Sequence, residues 1–194
     1  MDRFNSSAYL CRGTARVDNG DLQGAIQDFD RVIAFDPRDS RALTNRGYAK
    51  SKSGDTDGAI KDFDRAIRID PRNAQAYNNC GTLRYAQKDI AGAVAAFTRA
   101  IEADPQMAVA YKNRGLAYKA QGEFDRACRD FDRAIELDAN MLPAYLNRGL
   151  ILIQWGRETE AEKDFTYFLR FAGDMKDALK KLIREARESR QCPD

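Results

Sequence analysis

Asparagine recurs at a fixed interval of 34 residues, as Asn45, Asn79, Asn113 and Asn147. A primary amide carries two N–H donors and one carbonyl acceptor. A row of amides therefore suits the alternating C=O and N–H groups of an extended peptide backbone. The same spacing also fits a purely structural role, in which each asparagine bonds to a neighbouring helix and fixes the repeat. We favour backbone binding and keep the structural role as the alternative.

Residues that support catalysis or metal binding are scarce in this chain. The 194 residues include no histidine, and the four cysteines never stand in a CxxC spacing. No glycine-rich phosphate loop followed by Lys-Ser or Lys-Thr occurs, and no paired carboxylates stand outside the repeated positions described below. The sequence therefore predicts a protein that is not an enzyme, with no catalytic residue, no metal site and no cofactor.

Composition limits the classes of partner and the cellular compartment. The formal net charge is +2 and 32% of the residues are charged, which favours neither a nucleic acid nor a membrane as partner. The strongly apolar run at residues 149–153 is too short to span a bilayer. The cysteines Cys11, Cys80, Cys128 and Cys192 are interpreted as free thiols of a reducing compartment. With no signal peptide visible at the N-terminus, we expect a cytoplasmic protein.

Three further residue types share the 34-residue period. The glycines are Gly13, Gly47, Gly81, Gly115 and Gly149; the alanines are Ala25, Ala59, Ala93, Ala127 and Ala161; the phenylalanines are Phe29, Phe63, Phe97, Phe131 and Phe165. Repeats of this length with small residues at fixed positions predict stacked helical hairpins rather than a globular enzyme. The units are residues 6–39, 40–73, 74–107, 108–141 and 142–175, followed by a capping helix at about 174–190, so that 1–194 form a single domain.

The second unit shows how one hairpin is encoded. Apolar and small residues at spacings of three and four mark one face of each of two helices. Gly54-Asp55 between the helices predicts a helix stop followed by an N-cap, and Asp70-Pro71 ends the second helix. Gly47 opposite Ala59 allows the two backbones to approach closely, and Phe63 fills the space beyond them.

Arginine and aspartate vary together among the repeats. Arg12, Arg46, Arg114 and Arg148 precede the repeated glycine, and Asp28, Asp62, Asp130 and Asp164 precede the repeated phenylalanine. Repeat three has Cys80 and Ala96 at these two positions. An unpaired charge near a packed interface is costly, so joint retention and joint loss predict an Arg–Asp contact between the two helices of each hairpin.

These features resemble the tetratricopeptide repeat (TPR) family. The family pattern appears in repeat four as Tyr111, Gly115, Gly122-Glu123, Ala127, Phe131 and Ala134. The resemblance covers about residues 6–175. It implies an all-α fold, a right-handed superhelical solenoid of five hairpins with the capping helix behind them, whose first helices line a concave groove. It also implies a protein or peptide partner and places the four asparagines in that groove, as in the asparagine-ladder type of TPR superhelix.

Other groove positions, assigned by the same resemblance, give the groove its selectivity. Lysines and apolar residues occupy them in repeats four and five, namely Lys112, Lys119, Leu116, Leu146, Leu150 and Ile153. Lysines attract carboxylates, and a contiguous exposed apolar patch usually marks a contact surface. The expected ligand is an acidic peptide segment with one apolar anchor. The alternative is that the apolar patch is covered by the C-terminal segment of the chain or by another protomer.

The function predicted from the sequence is that of an adaptor or scaffold that binds an extended, acidic peptide segment of a partner protein in the groove. The alternative is a structural module that self-assembles into a homo-oligomer through the apolar surface of repeat five and the C-terminal helix. The stripe Ala178, Leu179, Leu182, Ile183 and Ala186 gives this helix one apolar face.

Overall fold

The computed structural model describes residues 3–189, and side chains from residue 5 onward. Within that part of the chain there are eleven α-helices, one 3-10 turn at Gly173–Met175, and no β-strand. The helices are α1 Arg3–Asp18, α2 Leu22–Phe35, α3 Ser40–Lys52, α4 Thr56–Ile69, α5 Ala74–Ala86, α6 Ile90–Ala103, α7 Ala108–Ala120, α8 Phe124–Leu137, α9 Leu142–Gln154, α10 Glu158–Phe171 and α11 Lys176–Glu188. The predicted all-α architecture of helical hairpins is confirmed.

The turn inside the second hairpin has the predicted chemistry. Gly54 has a φ of +91°, a left-handed conformation that glycine adopts without strain. The next residue, Asp55, caps α4 by accepting a hydrogen bond of 2.9 Å from the backbone N–H of Gly58. At the far end, Asp70 is extended and ends α4 before Pro71. The sequence therefore sets both ends of the second helix.

A glycine against a phenylalanine brings the two helices of each hairpin together. A Cβ added to Gly47 would lie 2.7 Å from Cε1 of Phe63 and 3.2 Å from the carbonyl oxygen of Ala59. Phe63 and Ala59 are both completely buried. The other four repeated glycines meet the phenylalanine of their own hairpin in the same way. The glycine is therefore required by the close approach of the helices.

The predicted Arg–Asp contacts are confirmed in all four repeats that carry the two residues. The guanidinium in each donates two hydrogen bonds to the carboxylate, as Arg114 does to Asp130 through Nε and Nη2, both at 2.8 Å. The corresponding pairs are Arg12–Asp28, Arg46–Asp62 and Arg148–Asp164. The four aspartates are buried. Each pair therefore joins the first helix of a hairpin to the second.

The chain divides into two compact units, residues 1–105 and residues 106–194. In the first unit, α2 packs against α3 and α4 packs against α5, so that successive hairpins stack. Val32 and Ile33 of α2 form one buried cluster with Ala42 and Leu43 of α3. In the second unit α8 packs against α9 in the same manner.

The C-terminal helix α11 packs along α9. Leu179 and Ala186 of α11 are buried in one cluster with Leu150 and Ile153 of α9. Gln154 Nε2 also donates a hydrogen bond of 3.0 Å to Ser189 Oγ at the far end. The apolar patch predicted on repeat five is therefore covered by the chain's own last helix in this structure.

Candidate peptide-binding faces

In the first unit, two of the repeated asparagines lie on consecutive first helices, Asn45 on α3 and Asn79 on α5. Nδ2 of Asn45 lies 3.5 Å from Oγ1 of Thr14, at the long limit for a hydrogen bond. Oδ1 of Asn79 accepts a bond of 3.0 Å from Nε2 of Gln75, one turn earlier on α5. Among the described residues, Asn45 Oδ1 and Asn79 Nδ2 have no hydrogen-bond partner. Asn45 is half-buried and offers its Oδ1 as an acceptor, whereas Asn79 is only 9% exposed, so its Nδ2 is a largely enclosed donor.

A second polar pair fixes α5 relative to α3. Nδ2 of Asn73 donates a hydrogen bond of 2.9 Å to Oγ1 of Thr44, while Oδ1 of Asn73 caps α5 by accepting from the N–H of Ala76. Thr44 is 3% exposed, so this bond is structural. It holds α3 and α5 side by side and so sets the spacing between Asn45 and Asn79.

In the second unit, Asn147 links α9 to α7. Its Oδ1 accepts a hydrogen bond of 2.8 Å from Nζ of Lys119, and its Nδ2 donates one of 2.8 Å to the backbone carbonyl of Pro143. Asn113 is half-buried on α7. The carboxamide of Asn147 thus makes the inter-helix contact that was the structural alternative, and through it positions the ammonium group of Lys119.

Two lysines on one face give α7 its electrostatic character. Lys112 and Lys119 are half-buried and seven residues apart, which places them on the same side of the helix. Burial lowers the pKa of both ammonium groups below the ordinary lysine value. Neither of them forms a salt bridge with any carboxylate of residues 5–189. The face of α7 therefore carries two partly desolvated cations that no carboxylate in this range neutralises.

The four predicted apolar residues differ in exposure. Leu116 and Leu146 are half-buried and pack on neighbouring core clusters. Leu150 and Ile153 are 8% and 3% exposed, beneath α11. The structure thus brings Leu116 and Leu146 close to the lysine-bearing part of the second unit, whereas a ligand reaches Leu150 and Ile153 only after α11 moves. Whether these ten predicted residues bind a ligand remains a prediction.

Two residues outside the predicted set shape these faces. Gln75 holds the carbonyl end of Asn79, and its spacing of four residues before Asn79 on one helix was a signal for that contact. The carbonyl of Pro143 holds Asn147. The cover provided by α11 had no comparable signal, because an apolar stripe on a helix does not say which neighbour it meets.

The described cysteines differ in their surroundings: Cys11 is exposed, whereas Cys80 is buried and Cys128 is half-buried. Cys11, Cys80 and Cys128 are free thiols, and Cys192 lies outside the described residues. Burial raises the pKa of the Cys80 and Cys128 thiols to about 11, which disfavours the thiolate. Nowhere in residues 3–189 do three cysteine or acidic side chains meet as they would around a metal ion. None of the helices in that range has the length and apolar character needed to cross a bilayer.

Models of the tetratricopeptide repeat match most of the sequence. One matches residues 10–50 and 44–108, a second matches 108–141 and a third 142–166. The chain belongs to the TPR family. The hairpins, the glycine–phenylalanine packing and the helix-capping turns are thus those of TPR units.

Several solved structures resemble most of the chain. The crystal structure of MamA is 27% identical and matches with a TM-score of 0.71, over 85% of this chain and 96% of that chain. PilF of Pseudomonas aeruginosa is 20% identical with a TM-score of 0.82, over 96% of this chain and 88% of that one. TTC0263, a TPR protein of Thermus thermophilus, is 21% identical with a TM-score of 0.71, over 93% and 98%.

No curated protein matches the sequence. Membership of the TPR family supports a general role, because TPR hairpins present the faces of their helices to protein partners. The chain is in this general sense a protein-interaction scaffold. The family does not specify which partner chemistry the faces described above accept.

Proposed function

We propose that this TPR protein is an adaptor that binds an extended, acidic peptide segment of a partner protein, and that the α7 face of the second unit recognises the acidic side chains. The observation that carries the proposal is the pair Lys112 and Lys119, half-buried and without a carboxylate partner in residues 5–189. Partly desolvated cations gain more from an incoming carboxylate than fully hydrated ones do, because the local dielectric is lower.

The second unit also supplies an apolar contact beside these cations. Leu116 lies between the two lysines on α7, and Leu146 lies on α9 next to Asn147. Both are half-buried, so each presents part of its side chain to a ligand. An acidic segment carrying one apolar side chain matches this combination, with the lysines on its carboxylates and the leucines on its anchor.

The first unit, taken by itself, offers hydrogen bonds to the backbone of an extended segment. Oδ1 of Asn45 is an acceptor for a peptide N–H, and Nδ2 of Asn79 is a donor for a peptide C=O. An extended strand offers both groups alternately. Since these bonds involve only the backbone, we expect them to add affinity without adding sequence preference.

Binding of labelled peptides to the full chain tests the proposal. The probe is a fluorescein-labelled peptide of about ten residues, rich in Glu with one Leu, and the comparison is the same peptide with every Glu replaced by Gln. We expect the Glu peptide to bind more tightly, and Lys112→Ala and Lys119→Ala each to weaken it by about three- to tenfold, as for partly buried charge contacts. Fluorescence anisotropy gives the dissociation constants.

Lys163→Ala is the matched control, because Lys163 is an exposed lysine of the second unit on α10. It should leave the affinity unchanged. Equal binding of the Glu and Gln peptides, or an equal loss in the Lys163 variant, would refute recognition by the α7 face. An Asn45→Ala, Asn79→Ala double variant tests the first unit separately, and any backbone-mediated binding that it removes should be the same for the Glu and Gln peptides.

The pKa values of the two lysines add a dependence on pH. An acidic ligand raises the depressed pKa of each ammonium group, so binding favours the protonated lysine. The affinity for the Glu peptide is therefore greatest at a pH below the pKa that the two lysines have in the free protein. It falls as the pH rises through that pKa. The Gln peptide should show no such fall, and in the Lys112→Ala, Lys119→Ala double variant the fall should vanish for the Glu peptide as well.

Self-assembly through the apolar surface of repeat five is the second candidate. Leu150 and Ile153 of that surface are buried against Leu179 and Ala186 of α11 in the structure. Assembly through this surface therefore requires α11 to leave α9 and to pack on a second protomer. Sedimentation of the full chain over a range of concentrations distinguishes this candidate from the adaptor.

A further inference from the structure

Within residues 3–189 no helix follows α10 in the way that α3 follows α2, although Phe165 and Phe168 of α10 share a side-chain cluster with Leu179 and Ala186 of α11. The second helices α2, α4 and α8 each pack along the first helix that follows, whereas α11 packs mainly along α9. A groove of about 480 Å³ is left between α10 and α11. Its apolar floor consists of Ile153, Phe165, Leu169, Leu179 and Ile183.

The repeats show what normally fills this space. Leu169 takes the position in α10 that Ile33 takes in α2. Ile33 is 8% exposed because Ala42 and Leu43 of the following helix cover it. Leu169 is half-buried, as are Ile67 and Ile135 at the same position beneath α5 and α9. The correspondence therefore rests on position: the groove lies where a following first helix packs in those hairpins, which favours a helical occupant over an extended one.

The two walls of the groove carry opposite charges. Glu158 and Glu162 belong to the α10 wall, and Lys176, Lys180 and Arg187 belong to the α11 wall. Arg187 pairs with Glu158 at 2.8 Å and closes one end, and Lys180 pairs with Asp177, which is exposed on its own helix, at 2.9 Å. Neither Glu162 nor Lys176 forms a salt bridge with any described residue.

Glu162 is a charged residue at a position that is apolar in other repeats. The equivalent residues in repeats one to three are Ile26, Ile60 and Val94, which are half-buried. An exposed glutamate at this position replaces an apolar contact with an acidic one on the α10 wall. The occupant of this groove therefore differs in charge from the first helices that fill the equivalent space inside the chain.

We propose that this groove docks an amphipathic helix of a partner protein, with an apolar stripe on the floor, basic residues along the α10 wall and acidic residues along the α11 wall. The charge complementarity follows from Glu162 on one side and Lys176 on the other. This docking surface is separate from the lysine-bearing face of α7 and does not depend on it.

A first helix from a second copy of this chain fits the groove less well. Such helices bond to the preceding hairpin through arginine, as Arg46 does to Asp30 at 2.6 Å and Arg148 to Asp132 at 2.5 Å. The equivalent position in α10 is Thr166, as it is Thr98 in α6. The ion pair that Asp30 and Asp132 form is therefore missing at α10. Together with Glu162 at an otherwise apolar position, this difference is why the proposal specifies a partner helix.

Three designed helical peptides test the charge pattern. Each has about 18 residues, roughly five helical turns, with the same stripe of Leu and Ala at helical spacing. One has a Glu edge and a Lys edge, one has two Glu edges and one has two Lys edges. We expect the mixed peptide to bind most tightly. Its affinity should exceed that of the other two peptides by about two- to fivefold for each exposed charge pair, as measured by fluorescence anisotropy on the full chain.

Charge reversals at exposed positions give the decisive comparison. Glu162→Lys should shift the preference to the peptide with two Glu edges, and Lys176→Glu to the peptide with two Lys edges. Circular dichroism confirms that both variants are folded. All measurements are made in a Lys112→Ala, Lys119→Ala background, which removes the α7 face as a second site for the Glu-edged peptides. A charge preference that persists in this background belongs to the groove, so that failure of the peptide-binding function and failure of this docking site are distinguishable.

Three results would overturn the docking proposal. One is the absence of binding by all three peptides, and another is a preference that neither reversal changes. The third is a mass of the peptide-free protein that rises with concentration and returns to that of the monomer in Glu162→Lys, because a second copy would then be the occupant.

Discussion

At the scale of single residues, the Arg–Asp pairs are the main charged feature of the hairpin core. Asp130 is 6% exposed and accepts two bonds from Arg114. Hydrogen bonding to Asp130 raises the pKa of Arg114, so its guanidinium stays charged. Two ions inside a packed interface gain little over apolar residues of the same shape, whereas removal of one ion takes the oppositely charged group away from the other.

In repeat three the two equivalent positions carry uncharged, buried residues, Cys80 and Ala96. We therefore predict that Arg114→Cys and Asp130→Ala, made singly, each lower the free energy of unfolding by about 2–4 kcal/mol. The double variant should lose about 1–3 kcal/mol less than the sum of the two. Urea denaturation followed by circular dichroism measures all three.

The pair Arg99–Glu102 is the control for this double-mutant comparison, because both side chains are exposed and lie three residues apart on one helix. Its replacement by alanines should change stability by less than about 1 kcal/mol. Additive effects at Arg114 and Asp130 would show that the two side chains contribute independently and would contradict the pairing argument.

The Arg–Asp contacts were predictable from the sequence because joint loss in one repeat reveals dependence between two positions. The bond from Lys119 to Asn147 was not, since it joins side chains 28 residues apart whose meeting depends on how α7 and α9 pack. The repeated asparagines were equally consistent with amides that bind a ligand and with amides that bond to a neighbouring helix. Only the structure shows which amide atoms are occupied.

At the scale of helices, the close approach of the two helices of a hairpin depends on the absence of one atom, the Cβ of the repeated glycine. A Cβ at position 47 would lie 2.7 Å from Phe63 Cε1, well inside van der Waals contact. Phe63 is completely buried and has no free space into which to move. The helices must then separate or the ring must leave its rotamer, and either change strains the core.

We predict that Gly47→Ala lowers the free energy of unfolding by about 1–3 kcal/mol, as overpacking does, in spite of the better helix propensity of alanine. Thermal and urea unfolding provide the measurement. Gly173→Ala is the control, since a Cβ at that position meets nothing within 4 Å and its φ is not left-handed. A stabilised Gly47→Ala protein would show that the hairpin tolerates a wider helix separation.

The helix ends were also predictable, because Gly-Asp and Asp-Pro act through local backbone chemistry. The partner of α11 was not. Its apolar stripe fits the inner side of α9 or the outer side of α10 equally well in sequence terms, and hydrophobic contact is not directional. The structure places α11 on α9, which covers Leu150 and Ile153 and leaves the groove beside α10.

At the scale of the whole molecule, the 34-residue period was sufficient to predict the family and the helical hairpin. Each repeat contacts mainly its neighbours, so a local pattern carries most of the fold. The period does not set the boundary at residues 105 and 106 between the two compact units. It also says nothing about ligands, because binding depends on residues at which the repeats differ.

The state of association depends on whether α11 stays on α9. Removal of residues from Lys176 onward takes away Leu179 and Ala186, the buried cover of Leu150 and Ile153. We predict that the shortened protein is about 2–4 kcal/mol less stable, from the lost burial of these side chains. The newly exposed apolar patch should bind the dye ANS and cause association at micromolar concentration. Analytical ultracentrifugation and dye fluorescence measure both effects.

A protein that ends at Ser189 keeps all of α11 and serves as the control, with the stability of the full chain and no added dye binding. Leu150→Glu in the shortened protein should reverse the association, because it places a charge in the middle of the exposed patch. A shortened protein that stays monomeric and dye-free would mean that Leu150 and Ile153 become buried without α11. The assignment of α11 as the cover of repeat five, and with it the form of the groove beside α10, would then be wrong.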